Sequence, residues 1–216
     1  MGDIRRFDGR ILGLGTESGT RVVLGWWDES PFGPFADVMV EDVTGRRTLV
    51  APPEVAEFVA TTYGFDRVLE SPVRAVHDDA APACGGTDDG GTPAPGGWLT
   101  AAAGPLRLRA AVGRRTALGH VLRLVPRRIA TAPWFAVLSD PVARLLLDGV
   151  RTRGSAGNGR RESYGATDVH AIVGVRATWD GVDLGALADV DPPVRFGFGS
   201  TPRRPSLTRV TTTVRG

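Results

Sequence analysis

Glycine and proline interrupt this chain so often that no long periodic segment survives; with 29 Gly and 16 Pro in 216 residues, turns set the architecture. Thr16–Gly19, Thr44-Gly45, Gly104-Pro105 and Asp180-Gly181 all carry turn chemistry. Between such signals lie short runs of β-branched and bulky apolar residues, which read as strands. Arg10–Gly15 and Thr20–Trp27 predict an opening hairpin, followed by strands over Phe35–Val43 and Arg46–Ala51. Later strands are expected over Phe65–Val76 (broken at Pro72), Trp98–Ala103, Leu106–Val112, Ala166–Trp179, Val194–Gly199 and Leu207–Val214. Three segments have helical spacing. The first starts at Pro52-Pro53 and puts Val55, Phe58, Val59 and Thr62 on one face. The second is capped by Thr116, carries Leu118, Val121, Leu122 and Val125, and stops at Pro126. The third is Pro133–Leu147. Strands without regular βαβ alternation predict an α+β fold with a largely antiparallel sheet. The length suits a single domain over 1–216. His77–Gly97, rich in Gly, Pro, Asp and Thr, is expected to be a mobile surface loop.

All 26 basic residues are arginines, for the chain contains no lysine. Schiff-base chemistry, pyridoxal phosphate attachment and the lysine of a phosphate-binding P-loop are therefore excluded. The single cysteine, Cys84, rules out an internal disulfide framework. The opening residues lack the apolar centre of a signal peptide, and no apolar run has the length of a membrane span. A cytoplasmic protein without stable membrane insertion is expected.

The net charge of +2 conceals an uneven distribution. Residues 1–89 carry 16 acids and 8 arginines, whereas residues 90–139 carry 7 arginines and no acid. The basic block either packs beside the acidic one or forms a docking surface. Its amphipathic part, within residues 107–128, has an apolar stripe flanked by Arg114, Arg115, Arg123, Arg127 and Arg128. A docking module would use this stretch on an acidic partner, nucleic acid or membrane surface. The five tryptophans are scattered and lack the interleaving with arginine that marks single-strand binding, so nucleic acid is not favoured.

Gly13-x-Gly15-x-x-x-Gly19 superficially resembles a dinucleotide fingerprint. That motif requires a helix to start at the glycines, but Thr20–Leu24 is strand-like, so a hairpin turn is expected instead. Arg151–Arg161 combines flexible glycines with four arginines and suits an anion. On the Phe35–Val43 strand, Asp37, Met39 and Glu41 share one face, opposite Val38 and Val40. Four residues at about 3.3 Å each separate the two acids by roughly 13 Å, too far for a glycosidase pair. His77, His120 and His170 lack metal-ligand spacing, so neither a metal nor another cofactor is expected. His170, within a strand, is the best placed of the three for a pocket.

Ser30-Pro31-Phe32-Gly33-Pro34-Phe35-Ala36-Asp37 resembles the Gly-Pro-Tyr-x-Glu signature of acetoacetate decarboxylase-like proteins, with Phe for Tyr and Asp for Glu. The resemblance covers about eight residues. It implies a β-barrel-like cavity with the acid on its wall, and about three helices. The family's decarboxylases work through a lysine that this chain lacks, so the resemblance carries the cavity but not the Schiff-base reaction. The whole chain also resembles a family common in actinobacteria, which implies no activity.

These features point to a cavity that takes a small anionic organic molecule. Asp37 and Glu41 are the expected wall acids, Arg21, Arg153 and Arg161 the carboxylate partners, and Tyr164 and His170 the orienting groups. Turnover through Asp37 as an acid–base group stays open, as does homo-oligomerisation.

Overall fold

The computed structural model describes residues 4–78, 94–132, 150–155, 157–197, 199 and 201–216. Strands β1 (Ile4–Thr16) and β2 (Arg21–Glu29) form the opening hairpin in the expected place. Its turn carries Gly19 at φ 81°, a conformation that side chains disfavour. Strands β3 (Phe35–Glu41) and β4 (Arg47–Ala51) extend the meander antiparallel. Helix α1 (Pro53–Thr62) begins beside Pro52 and buries Val55, Val59 and Thr62. It carries the chain over to β5 (Arg67–Glu70), which pairs parallel with β4. The sheet is therefore mixed at this edge.

Beyond Pro72, β6 (Val73–Asp78), β7 (Trp98–Ala103) and β8 (Leu106–Arg115) form an antiparallel group. In β8, Leu106, Leu108 and Ala110 are buried while Arg107 and Arg109 are exposed, the period of two expected of a strand with one face in the core. Helix α2 (Ala117–Leu124) starts at Thr116, whose hydroxyl accepts from the Gly119 amide at 3.0 Å. It ends before Pro126, and a short α3 (Arg127–Ala130) follows. The remaining strands are β9 (Arg153–Ser155), β10 (Arg161–Trp179), β11 (Val182–Asp183), β12 (Leu187–Ala188) and β13 (Ser206–Arg215).

These strands make one curled sheet in the order β5-β4-β3-β2-β1-β13-β10-β8-β7-β6, with β9 and β11 on β10 and β12 on β1. The curl is a half-barrel that brings the β7–β8 turn against β4: a Cβ at Gly104 would lie 3.4 Å from Val50. Inside the curl Leu12, Leu14, Val22, Leu24, Val38 and Val50 pack against Leu99, Ala101, Ala103, Leu106 and Leu108. The alanines on β7 and β8 leave room for the sheet to close on itself. The opposite face of β1, β2, β3, β10 and β13 is also covered, by α1, α2, α3 and the residues Val190, Val194, Phe196, Thr201 and Pro202. Both faces of the central strands are thus buried. The architecture is α+β, strand-dominated, with three short helices among the described residues. None of those helices is long and apolar enough to cross a membrane.

Two expectations are corrected. The described residues of Val194–Gly199 form no strand, although Val194 and Phe196 are buried as an alternating strand would bury them. Its backbone groups find partners outside any ladder: the Arg195 amide donates to Glu41 and the Phe196 carbonyl accepts from Gly64. Within Arg151–Arg161 the chain forms β9 and a 3-10 turn (Gly157–Gly159), and β10 starts at Arg161, earlier than the turn residues suggested. The ends of the predicted 77–97 loop are ordered: His77 and Asp78 belong to β6, and Gly96 bonds to Val112. Residues 79–93 with Cys84, and the expected helix over Pro133–Leu147 with Trp134, lie outside the described residues.

Candidate functional site

The covered outer face encloses a chamber of about 170 Å³. A single water needs only roughly 10–15 Å³ of such space, so the chamber has room for a small organic molecule. Ile11, Val23, Met39, Val169 and Val210 of the sheet form its floor, Leu118 and Leu122 of α2 one side, and Val194 and Phe196 the cover. The walls are predominantly apolar, and polar groups enter at a few points: Asp37, Tyr63, Arg151, Thr152, Tyr164, Thr201, Ser206 and Thr208.

Asp37 is 2% exposed. Its Oδ1 accepts from the Trp27 indole at 3.0 Å, whereas its Oδ2 is buried with no partner. Local sequence explains this arrangement. Gly25 pairs directly with Asp37 across β2 and β3, and Trp27 follows two residues later on the same face. Without a side chain at Gly25, the indole folds back across that position; a Cβ there would stand 2.7 Å from Asp37 Oδ1 and 2.9 Å from Trp27 Nε1. Burial pushes the Asp37 carboxyl up to about 7, against the stabilising bond from Trp27.

A second acid stands nearby. Glu162, on β10, accepts from the Tyr63 hydroxyl at 2.5 Å, and Tyr63 and Tyr164 lie hydroxyl to hydroxyl at 3.0 Å. Burial pushes Glu162 up to about 7 as well, against the hydrogen bonds from both tyrosines. Glu162 Oε2 and Thr212 Oγ1 are buried without partners. These groups and Asp37 line an annex of about 40 Å³, walled by Phe7, Trp27, Phe35 and Phe58. The annex and the chamber share Trp27, Asp37, Met39 and Tyr63.

The Ser30–Asp37 motif acts as the hairpin that builds this corner. Gly33 turns the chain at φ 80°, and the Ser30 hydroxyl donates to the Gly33 carbonyl. Phe32 and Phe35 are thereby delivered against Phe7 and Phe58. The Gly13-x-Gly15 pair serves close approach rather than phosphate binding. A Cβ at Gly13 would meet the Thr201 side chain at 2.5 Å, and one at Gly15 the Asp189 carbonyl at 2.1 Å.

The other expected site residues are dispersed. Glu41 shares the face of Asp37, but it is fully buried at the far end of β3, bonded to the Arg195 amide at 2.9 Å and guanidinium at 3.0 Å. Arg21 lies 3.4 Å from Glu41 and donates to the Asp42 and Pro192 carbonyls. Glu41 and Arg21 thus anchor the chamber's cover and do not line the chamber. Arg153 and Arg161 are exposed on β9 and β10 and are not among the lining residues. Tyr164 does line the chamber. His170 faces a separate cavity of about 250 Å³ with Arg10, His77, Asp168 and Arg209. Its Nδ1 is 3.2 Å from the Gly113 carbonyl. The basic block partly meets acids of its own chain: Arg115 pairs with Asp168 at 2.7 Å and Arg127 with Asp8 at 2.6 Å. Among the described residues no group of three or more His, Cys, Asp or Glu is placed to hold a metal ion.

Trp27, Tyr63 and Glu162 escape the sequence reading. Glu162 is followed two positions later by Tyr164, so strand alternation puts them on one face once β10 is known to start at Arg161. The neighbouring arginines and glycines disguised that stretch as a loop. No known protein family, curated protein or solved structure matches this chain.

Proposed function

We propose that the protein binds a small, largely apolar organic molecule in the chamber, with a hydrogen-bond donor of the ligand meeting Asp37. The observation that carries this reading is the buried Oδ2 of Asp37, without a hydrogen-bond partner among the described residues, on the wall of a predominantly apolar space. A buried acceptor without a partner costs about 1–3 kcal/mol, which a ligand donor recovers. The apolar walls supply affinity and the few polar groups supply orientation. In this reading the cavity is of the acetoacetate decarboxylase-like kind, with Asp37 as the wall acid and no Schiff-base chemistry. Arg21, Arg153 and Arg161, expected to pair an anion, do not line the chamber; the arginine that does is Arg151, which is exposed. Docking through the basic 107–128 stretch is less favoured, since Arg115 and Arg127 are already engaged within the chain.

The test is thermal denaturation with hexan-1-ol, whose binding to the folded state raises Tm. The wild-type protein is expected to gain several degrees at millimolar alcohol. Ala166→Phe, which fills the chamber from β10, is expected to abolish the gain. Absence of any gain, or a gain that survives Ala166→Phe, overturns the proposal.

A further inference from the structure

We propose that the annex beside Asp37 is an ammonium site, so that the chamber's ligand is a primary amine with an apolar tail. This rests on the chamber reading above and assigns its ligand class.

Three independent features converge. A primary ammonium has three N–H donors and no acceptor. Three buried oxygens of the residues that line the annex lack hydrogen-bond partners among the described residues: Asp37 Oδ2, Glu162 Oε2 and Thr212 Oγ1. Donor and acceptor numbers match. The walls are the second feature. The Phe7, Trp27, Phe35 and Phe58 rings stand close together, with centroids 5.6 Å apart for Phe7–Phe58 and 5.7 Å for Phe7–Trp27. These rings pack on one another, so a cation in the annex lies alongside them, and an aromatic face attracts positive charge over roughly 6 Å. The third is charge. Among the described residues no basic side chain lines the annex, so its two acids have no counter-ion there.

The other groups around Asp37 are Trp27 from β2, Tyr63 from the end of α1, Glu162 and Tyr164 from β10, and Thr212 from β13. The cations on this side are Arg5 and Arg160, which pack over Phe58 at 4.9 and 4.7 Å from its ring centre. Arg160 is also bonded to the Thr61 and Thr62 hydroxyls. An anion in the annex would face two carboxyls, and the Trp27, Thr62 and Tyr63 donors there are already given to Asp37, the Phe58 carbonyl and Glu162, which leaves the Thr212 hydroxyl. A space of about 40 Å³ accepts an –NH3+ head and excludes a trimethylammonium head. Because burial holds both acids near 7, an ammonium that draws them into their ionised form releases protons when it binds below that pH.

The experiment is titration calorimetry of the full chain with hexylamine, hexan-1-ol and hexyltrimethylammonium at pH 8 and pH 5.5. Hexylamine is expected to bind at least tenfold more tightly than hexan-1-ol at pH 8. The preference should shrink at pH 5.5, with proton release read from buffers of different ionisation enthalpy. Glu162→Gln is expected to cut hexylamine affinity about tenfold and to change hexan-1-ol affinity by much less. If the amine and the alcohol bind equally at pH 8, the annex holds only water and the ammonium proposal falls while the chamber reading stands. If hexyltrimethylammonium binds as well as hexylamine, the primary-ammonium assignment falls. If neither hexylamine nor hexan-1-ol binds, both readings fall together.

Discussion

Asp37 shows how a single residue takes its character from its neighbours. The carboxyl is desolvated by apolar walls, held on one oxygen by Trp27, and left open on the other. Gly25 makes that geometry possible. Gly25→Ala is therefore expected to push the indole off Asp37 and cost about 1–3 kcal/mol, as overpacking does. Chemical denaturation would measure the cost, and a changed Trp27 emission would report the displaced ring. Asp37→Asn removes an acid whose folded pKa, near 7, lies above the ordinary carboxylate value near 4. Between those values the folded state holds the proton more tightly than the unfolded chain, so stability falls as pH rises through the window. Each pH unit of the window contributes about 1.4 kcal/mol at most. The Asn variant is accordingly expected to be more stable than the wild type at pH 8 and to lose that advantage at pH 4. Calorimetric melting at both pH values checks this, and equal melting differences at the two would contradict it.

At the scale of elements, the chamber depends on two pieces that are not part of the main sheet. Val194 and Phe196 cover it, and the chain between them is fastened at Glu41, which lies between Arg21 and Arg195. Glu41→Gln leaves Arg21 buried with a neutral partner, a break that typically costs about 3–5 kcal/mol. The Arg195 amide, which donates to Glu41, should then exchange faster in hydrogen-exchange measurements. Arg195→Ala removes a largely exposed partner but leaves Oε1 of the buried Glu41 with Arg21 alone, and should cost about 1–3 kcal/mol. The other piece is α2, which brings Leu118 and Leu122 to the chamber and depends on one side-chain cap. Thr116→Ala is expected to lower stability by about 1 kcal/mol and weaken hexan-1-ol binding by loosening that wall. Unchanged binding with lowered stability would separate the cap from the site.

For the whole molecule, two sets of acids pull the pH profile in opposite directions. In Asp8 and Asp168 the upward push of burial is outweighed, by Thr211 and Arg127 in one case and by Arg115 in the other, so both lie below the ordinary value. Their contribution is present above about pH 4 and is lost as pH falls through their folded values. Asp37 and Glu162 act oppositely, and their contribution is lost as pH rises from about 4 to about 7. Melting temperature is therefore expected to peak on the acid side, near pH 5, and a double Asp37→Asn, Glu162→Gln variant should flatten the decline towards pH 8.

Local signals made most of the elements legible. Turn chemistry at Thr16–Gly19 and Gly104-Pro105 marked both hairpins, Pro52-Pro53 opened α1, and Thr116 and Pro126 bounded α2. Strand alternation put Asp37 and Glu41 on one face of β3. These properties depend on residues close in sequence, because backbone preferences and period-two side-chain placement act over a few positions. Which of the two acids meets the chamber could not be read that way, since the answer depends on Arg195, more than a hundred residues away, reaching Glu41. The same holds for Trp27 over Gly25, for Tyr63 on Glu162, and for Val194 and Phe196 covering a sheet instead of joining it. Burial, and with it the proton affinity of Asp37 and Glu162, is a property of what surrounds a group. Only the curled sheet and the segments packed on its outer face supply those surroundings.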